Sequence, residues 1–462
     1  MNELLIVCYG TLLLFTVAIA VLSIANFRRC GGLEHLFIGA GLYYYSLYGA
    51  WTVLAVKRGL EASEALDHLE ASLFRVSIDD DYLLALLLYG LFVVSILAGI
   101  GLLCRQRWFD EECTMPMERM PSLRRLLAIC LVALVASAAA LFGEIRAAIE
   151  QGVPLYLFTR TEVSGWFTVH QLCNRVGLIT LACAWPIQMR RPTGSKFLTG
   201  SCLVVLTLVW LGYLGALGNR NEIAVAIVAC FLLFLRLGAR IRWGKLAVSV
   251  FFVYLALRSI ETFRAVPPAE LFDRVLEALV DPKFWNPASL AGGSESLAAH
   301  VSMYGIISTP VSWTWGESAI YFLQSLLPFI PGVDRVPDSY SVYAAAVGAP
   351  AGQGFNIHFA AGAYLNFGPL AVVAAGGVIA LVFAGVRALA RWSARETKLV
   401  MPTMLAYCYF CALLPVNMRA GPESLKALLF EGFLIPFLVV LVAAIGRGTA
   451  SASALPAAAR GV

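Results

Sequence analysis

Residues 203–236 read LVVLTLVWLGYLGALGNRNEIAVAIVACFLLFLR, two apolar runs parted by the short polar step GNRNE. Each run approaches the ~20 residues that carry an α-helix through the ~30 Å hydrocarbon core of a bilayer. Lipid offers no partner to a bare N–H or C=O, so a crossing segment must satisfy its backbone internally, as a helix does. The stretch therefore predicts two antiparallel spanning helices, at 197–217 and 222–238, joined by a turn of about five residues. Arg220 and Glu222 stand in that turn, one ion of each sign where apolar sequence would be cheaper.

Similar runs fill the chain. Of its 462 residues 60% are hydrophobic and 14% charged, with a mean hydropathy of +0.78. Soluble domains carry about 25% charged residues, which argues against a soluble globular enzyme. Eleven spans are expected, at 4–26, 33–56, 82–104, 126–147, 166–188, 197–217, 222–238, 246–262, 364–386, 399–416 and 424–446. The fold class is then all-α, a polytopic integral membrane protein. The first run lacks a basic leader and is longer than the apolar part of a signal peptide, so it counts as a true span.

Basic residues set the orientation. Arg28 and Arg29 follow the first span, and Arg105, Arg107, Arg119, Arg124 and Arg125 the third. Arg190, Arg191 and Lys196 follow the fifth, then Arg236, Arg240, Arg242 and Lys245 the seventh. Arg387, Arg391, Arg395 and Lys398 follow the ninth, and Arg447 and Arg460 lie in the tail. Alternate loops are thus basic, and the positive-inside rule places them in the cytoplasm, with the N-terminus outside and the C-terminus inside.

The expected divisions are spans one to eight within 1–262, a large outer loop over 263–363, spans nine to eleven within 364–446, and a tail over 447–462. The Ala/Ser-rich tail is expected to be disordered. The large loop carries two helical patterns, PPAELFDRVLEALVD and GESAIYFLQSLLPFIPG. Both are expected to lie on the outer surface. Such a long loop with its own structure suggests a cap over a site.

Eleven cysteines lie mostly in or beside apolar runs. CYFC at 408–411 has CxxC spacing without a second ligand pair, so packing is the plainer explanation.

Chemistry concentrates on the outer side. Arg220, Arg258, Arg264, Arg335 and Arg419 fall where the positive-inside rule does not call for them, and Arg175 lies inside a span. Guanidinium groups bind phosphate oxygens in pairs, so such a set suits an anionic, membrane-resident ligand; the bland alternative is snorkelling or pairing with Glu222 or Glu261. The segment GQGFNIHFAAGAYLNFG, 352–368, supplies Asn356, His358, Tyr364 and Asn366 at the membrane surface. His358 is a candidate base, with His170, Asn174 and Arg175 a weaker group of the same kind. Trp313 and Trp315 offer flat rings for sugar faces, although aromatic belts place such rings at interfaces too.

Four segments resemble the Wzy-type O-antigen and exopolysaccharide repeat-unit polymerases, over roughly residues 200–440. They are GNRNE in its tight hairpin, WGESAIYFLQSLLPFIPG in the large loop, GQGFNIHFAAGAYLNFGPLA entering the next span, and VNMRAGPESLKALLFEGFLIP near the end. AYLNFG is the most specific part. The family pattern carries an acidic residue just before it, where this chain has Gly362; a catalytic role there would pass to His358, Glu317 or another group.

The resemblance implies a GT-C-like membrane fold and an inverting, metal-independent glycosyl transfer without cofactor, on the outer face of the bacterial inner membrane. Donor and acceptor would both be oligosaccharides on undecaprenyl pyrophosphate. It implies Arg220, Arg258, Arg264, Arg335 and Arg419 around the pyrophosphates, with Glu222 orienting Arg220. Asn356, Tyr364, Asn366, Trp313 and Trp315 would meet sugars, and His358 or Glu317 would act on the proton. The bilayer and a chain-length regulator complete the expected partners; nucleic acid is not among them. An O-antigen ligase, a lipid-linked sugar flippase and a membrane scaffold remain alternatives.

Overall fold

The computed structural model describes residues 2–60, 62, 64–72, 75–104, 120–154, 165–191, 197–239, 244, 251, 255, 259–260, 266–267, 270–285, 294–309, 311–326, 336–348, 356–393 and 399–445. Among these the regular structure is helical, with no strand. The first stretch gives α1 (Asn2–Cys30), α2 (Glu34–Tyr43), a π segment (Tyr44–Tyr48), α3 (Gly49–Lys57), α4 (Glu64–Ser72) and α5 (Asp80–Leu103). Next come α6 (Leu123–Ala140), α7 (Phe142–Gln151), α8 (Gly165–Arg190), α9 (Phe197–Ala216) and α10 (Arg220–Arg236). The expected outer loop holds α11 (Leu271–Val280), α12 (Pro282–Trp285), α13 (Ser294–Ser308), α14 (Glu317–Leu326) and α15 (Ser339–Ala346). The chain continues through α16 (Phe359–Phe367), α17 (Pro369–Ser393) and α18 (Val400–Asn417). A 3-10 turn (Pro422–Ser424), α19 (Leu425–Leu429), a second π segment (Phe430–Leu434) and α20 (Ile435–Ala444) complete it.

Among the described residues seven helices are long and apolar enough to cross a membrane: Glu3–Cys30, Asp80–Leu103, Leu123–Ala140, Phe197–Ala216, Pro369–Ser393, Val400–Asn417 and Pro422–Ala444. They mark a membrane-embedded protein, and exposed Leu13, Leu14, Val17 and Val21 give α1 a face fit for lipid. Eleven spans were expected. Of the other four, 33–56 coincides with α2, the first π segment and α3, and 166–188 with α8, whose His170, Asn174 and Arg175 dilute its apolar run. The third is α10, whose 17 residues reach about 26 Å, short of a full core. Most of 246–262 lies outside the described residues, as does the tail.

Packing divides the chain into two compact units rather than along the linear order. Unit 1 gathers Met1–Asp110, Glu270–Ala388 and Phe410–Gly432; unit 2 gathers Glu111–Ala269, Leu389–Tyr409 and Phe433–Val462.

In unit 1, α5 is a central rod capped by Asp79, whose carboxylate accepts from Tyr82 N at 2.9 Å. Asn26 Nδ2 donates to Leu97 O at 2.8 Å and Arg29 Nη1 to Gly101 O at 3.2 Å, tying α1 along its C-terminal half. α17 crosses the same rod where Gly99 faces Ala380 and Gly376 faces Ser95, so small residues let the two backbones approach. At that end Arg387 is buried, donating to Cys30 O at 3.0 Å and lying 3.2 Å from His35 Nε2. It was expected in a cytoplasmic loop and instead lies inside α17, closing the end of α1.

The N-terminal half of α5 packs against α13, a helix the sequence did not announce. Leu297, Ala299, Val301 and Met303 are fully buried there, so this part of the expected outer loop is core. Its polar Ser296, His300 and Ser302 hid an apolar stripe. α11 and α14 coincide with the two helices that were expected.

In unit 2, α8 is packed by α6, α9, α10 and α20. A buried polar knot joins three of them. Ser137 Oγ lies 2.9 Å from His170 Nδ1 and donates to Asn174 Oδ1 at 2.8 Å, while Tyr213 OH is 3.1 Å from the same ring nitrogen. The α9–α10 turn is tighter than expected, only residues 217–219, and Gly218 adopts φ +74. Arg220 and Glu222 thus belong to the first turn of α10, half-buried.

Candidate functional site

The AYLNFG segment is α16, and His358 is its N-cap. Ala360 N–H donates to His358 Nδ1 at 3.0 Å, which leaves the ring proton on Nε2, 3.0 Å from Ser46 Oγ as its acceptor. The neighbouring His300 has the opposite tautomer: Nδ1–H donates to Ser46 O at 2.9 Å, and Nε2 accepts from Tyr82 OH at 3.0 Å. Ser46 sits in the first π segment, a widened turn of the kind that frees backbone groups for outside partners. Tyr89 stacks edge-on against His358 with centroids 4.8 Å apart, and Ser302 Oγ accepts from His358 N at 3.0 Å. His358 is 0% exposed. Burial pushes its ring down to about 3, helped by His300, and burial pushes His300 down to about 4. Both rings are neutral structural members, and neither offers a nitrogen to a ligand.

Two residues upstream, the backbone opens on a pocket of about 400 Å³. Tyr321 reaches it from α14, Asp338 and Tyr340 from the start of α15, and Asn356 and Ile357 from the approach to α16. The turn after α18 contributes Arg419, Ala420 and Gly421, followed by Glu423 and Ser424 of the 3-10 turn. Lys426 and Ala427 of α19, and Phe430 and Glu431 of the second π segment, complete the wall. Two cations, three carboxylates, two phenols and an amide in one cavity suit a polar, charged ligand.

Hydrogen bonds fix these segments to one another. Phe359 N donates to Met418 O at 2.8 Å, and Asn417 Nδ2 reaches Ser424 O and Ser424 Oγ, both at 2.9 Å. Glu423 Oε1 accepts from Ser339 N at 2.6 Å, and Asp338 Oδ1 from Ser341 N at 2.8 Å, so two pocket carboxylates cap α15. Gly362 lies flat against Pro422, where a Cβ would overlap the proline ring. The position that carries an acid in the family pattern has no space for one here.

Of the sequence-expected residues, Arg419 and Asn356 line the pocket. Glu317 opens α14, one turn before Tyr321, and is not itself part of the wall. Asn366 is buried, donating to Gly362 O at 2.7 Å and accepting from Thr314 Oγ1 at 3.2 Å. Thr314 N also donates to Leu365 O at 3.0 Å, which docks the Trp313–Trp315 turn onto α16 near half-buried Tyr364. The two indoles stand edge to face, 5.4 Å apart, with Trp313 42% and Trp315 72% exposed. Arg220 and Glu222 belong to unit 2. Arg258, Arg264 and Arg335 lie outside the described residues.

Sequence reasoning missed Lys426 and Glu431. The available signal was two charges inside an apolar run, LKALLFEGFL, which was absorbed into the last span. The pocket's end of unit 1 is also informative. His358 touches Tyr89 on α5, whereas Arg29 reaches Gly101; twelve residues of helix separate those contacts, about 18 Å. The pocket segment and the arginine-bearing helix ends therefore meet α5 about 18 Å apart.

Fold and site together define a membrane-embedded, helical protein with a polar, charged pocket in one of its two units. No protein family, curated protein or solved structure compared with the chain matches it.

Proposed function

We propose that the protein is an inverting glycosyltransferase of the bacterial inner membrane that joins oligosaccharide repeat units carried on undecaprenyl pyrophosphate. One observation carries this reading. Three of the four segments that resemble repeat-unit polymerases, distant in sequence, each contribute residues to a single pocket: Tyr321, Asn356 and the run from Arg419 to Glu431. The separation of the pocket segment from Arg28, Arg29 and Arg387 along α5 supports an outward-facing site, since arginine-rich ends favour the cytoplasm. On this reading the N-terminus is periplasmic and the C-terminus cytoplasmic.

The chemistry asks little beyond what the chain supplies. The donor arrives activated, so an acceptor hydroxyl attacks its anomeric carbon and undecaprenyl pyrophosphate departs. Negative charge grows on the leaving group, and cations such as Arg419 and Lys426 stabilise it. Tyr321 and Tyr340 give flat surfaces for sugar rings. The test is direct. Purified protein in lipid vesicles, given lipid-linked repeat units extracted from cells that lack the protein, should produce a ladder of lengthened glycans. Transfer to a lipid A core without lengthening, or movement across the bilayer without a new bond, would replace this reading with the ligase or the flippase.

A further inference from the structure

We infer that Glu431 is the general base of the proposed transfer, the group that takes the proton from the attacking hydroxyl; this rests on the glycosyltransferase reading of the same pocket. Glu431 lines the pocket together with Arg419 and Lys426. It lies on Pro422–Ala444, a helix apolar enough to cross a membrane, where a carboxylate is costly and characteristically faces a polar cavity with a task to perform. The backbone beneath it is π-helical from Phe430 to Leu434. Such segments sacrifice regular α-helical bonding and cluster at functional sites. Lys426 lies five residues earlier, in α19, and lines the same pocket.

Asp338 and Glu423 accept from backbone N–H groups of α15, and His358 is enclosed with both ring nitrogens engaged. In the step, the acceptor oxygen forms the new bond to the anomeric carbon as its proton passes to the Glu431 carboxylate. The anomeric carbon–phosphate oxygen bond breaks, and the bonding pair leaves on pyrophosphate beside Arg419 and Lys426. Solvent then takes the proton from Glu431, and atoms and charge balance without a co-reactant.

The test uses full-length protein in vesicles, with Glu431→Gln and Glu431→Asp beside wild type. Turnover is read on the extracted lipid-linked repeats, and binding on undecaprenyl pyrophosphate. Glu431→Gln should lose about 100-fold or more in turnover while binding the carrier nearly as well as wild type. Glu431→Asp should recover part of the rate. Wild-type turnover should fall on the acid side of its pH profile, and the residual activity of Glu431→Gln should lack that limb. Equal turnover in wild type and Glu431→Gln would overturn the assignment alone. Loss of carrier binding in both variants would make Glu431 structural and overturn it too. A wild-type protein that lengthens nothing would sink the glycosyltransferase reading first, and the base assignment with it.

Discussion

His358 shows how a residue can be well placed in sequence and closed off in space. It stands two residues from Asn356 in the pocket wall, yet its ring is wrapped by Tyr89, Phe92 and His300 and caps α16. Its value is in stability, and the sign of its pH dependence follows. Unfolded, each ring titrates near 6.5; folded, His300 and His358 are held down at about 4 and about 3. Above pH 6.5 neither state is charged and the contribution is intact. As pH falls, the unfolded chain binds protons that the folded one refuses, so stability is lost at about 1.4 kcal/mol per pH unit for each ring. Melting temperature in detergent should therefore drop steeply between pH 6 and 4. His358→Asn, which keeps a capping side chain, should remove roughly half of that slope; an unchanged slope would place the titration elsewhere. Sequence made His358 visible through its neighbours, but burial depends on α13, which no local pattern revealed.

At the scale of elements, the pocket is an arrangement of helix ends. α16, the 3-10 turn and the start of α15 meet around Gly362, Pro422 and Ser339, where backbone replaces side chain. Introducing an acid at this point, Gly362→Asp, should not add a catalytic group. It should push the 3-10 turn from α16 and cost about 1–3 kcal/mol, as overpacking does. Lower thermal stability together with a weakened carrier affinity would be the observed result, and a gain in turnover would contradict the geometry. The helices themselves were largely legible in the sequence, because twenty apolar residues in lipid leave few choices of backbone. The two π segments were not, since register shifts of one residue arise from packing, as where Ser46 meets His300 in the first.

For the whole molecule, the expected clustering of outer arginines resolves unevenly. Arg419 enters the pocket of unit 1, while Arg220 stands half-buried at the start of α10 in unit 2. If Arg220 serves a second phosphate contact, Arg220→Ala should abolish long glycan chains while membrane levels of the protein stay normal. Full-length chains from the variant would confine it to a structural role. The membrane class and the convergence of distant motifs were implicit in hydropathy and order along the chain. The units were not, because each assembles from three separate stretches, with boundaries inside α17, α18 and the second π segment. One detail bears on how this protein can be improved or worn down. Trp315 holds φ +46, a left-handed backbone that glycine takes freely and an L-residue takes at about 1–2 kcal/mol. A laboratory search for sturdier variants would therefore favour glycine at 315 and discard an exposed indole; were that ring to meet sugar, as the resemblance implies, hardiness and activity would pull this one codon in opposite directions.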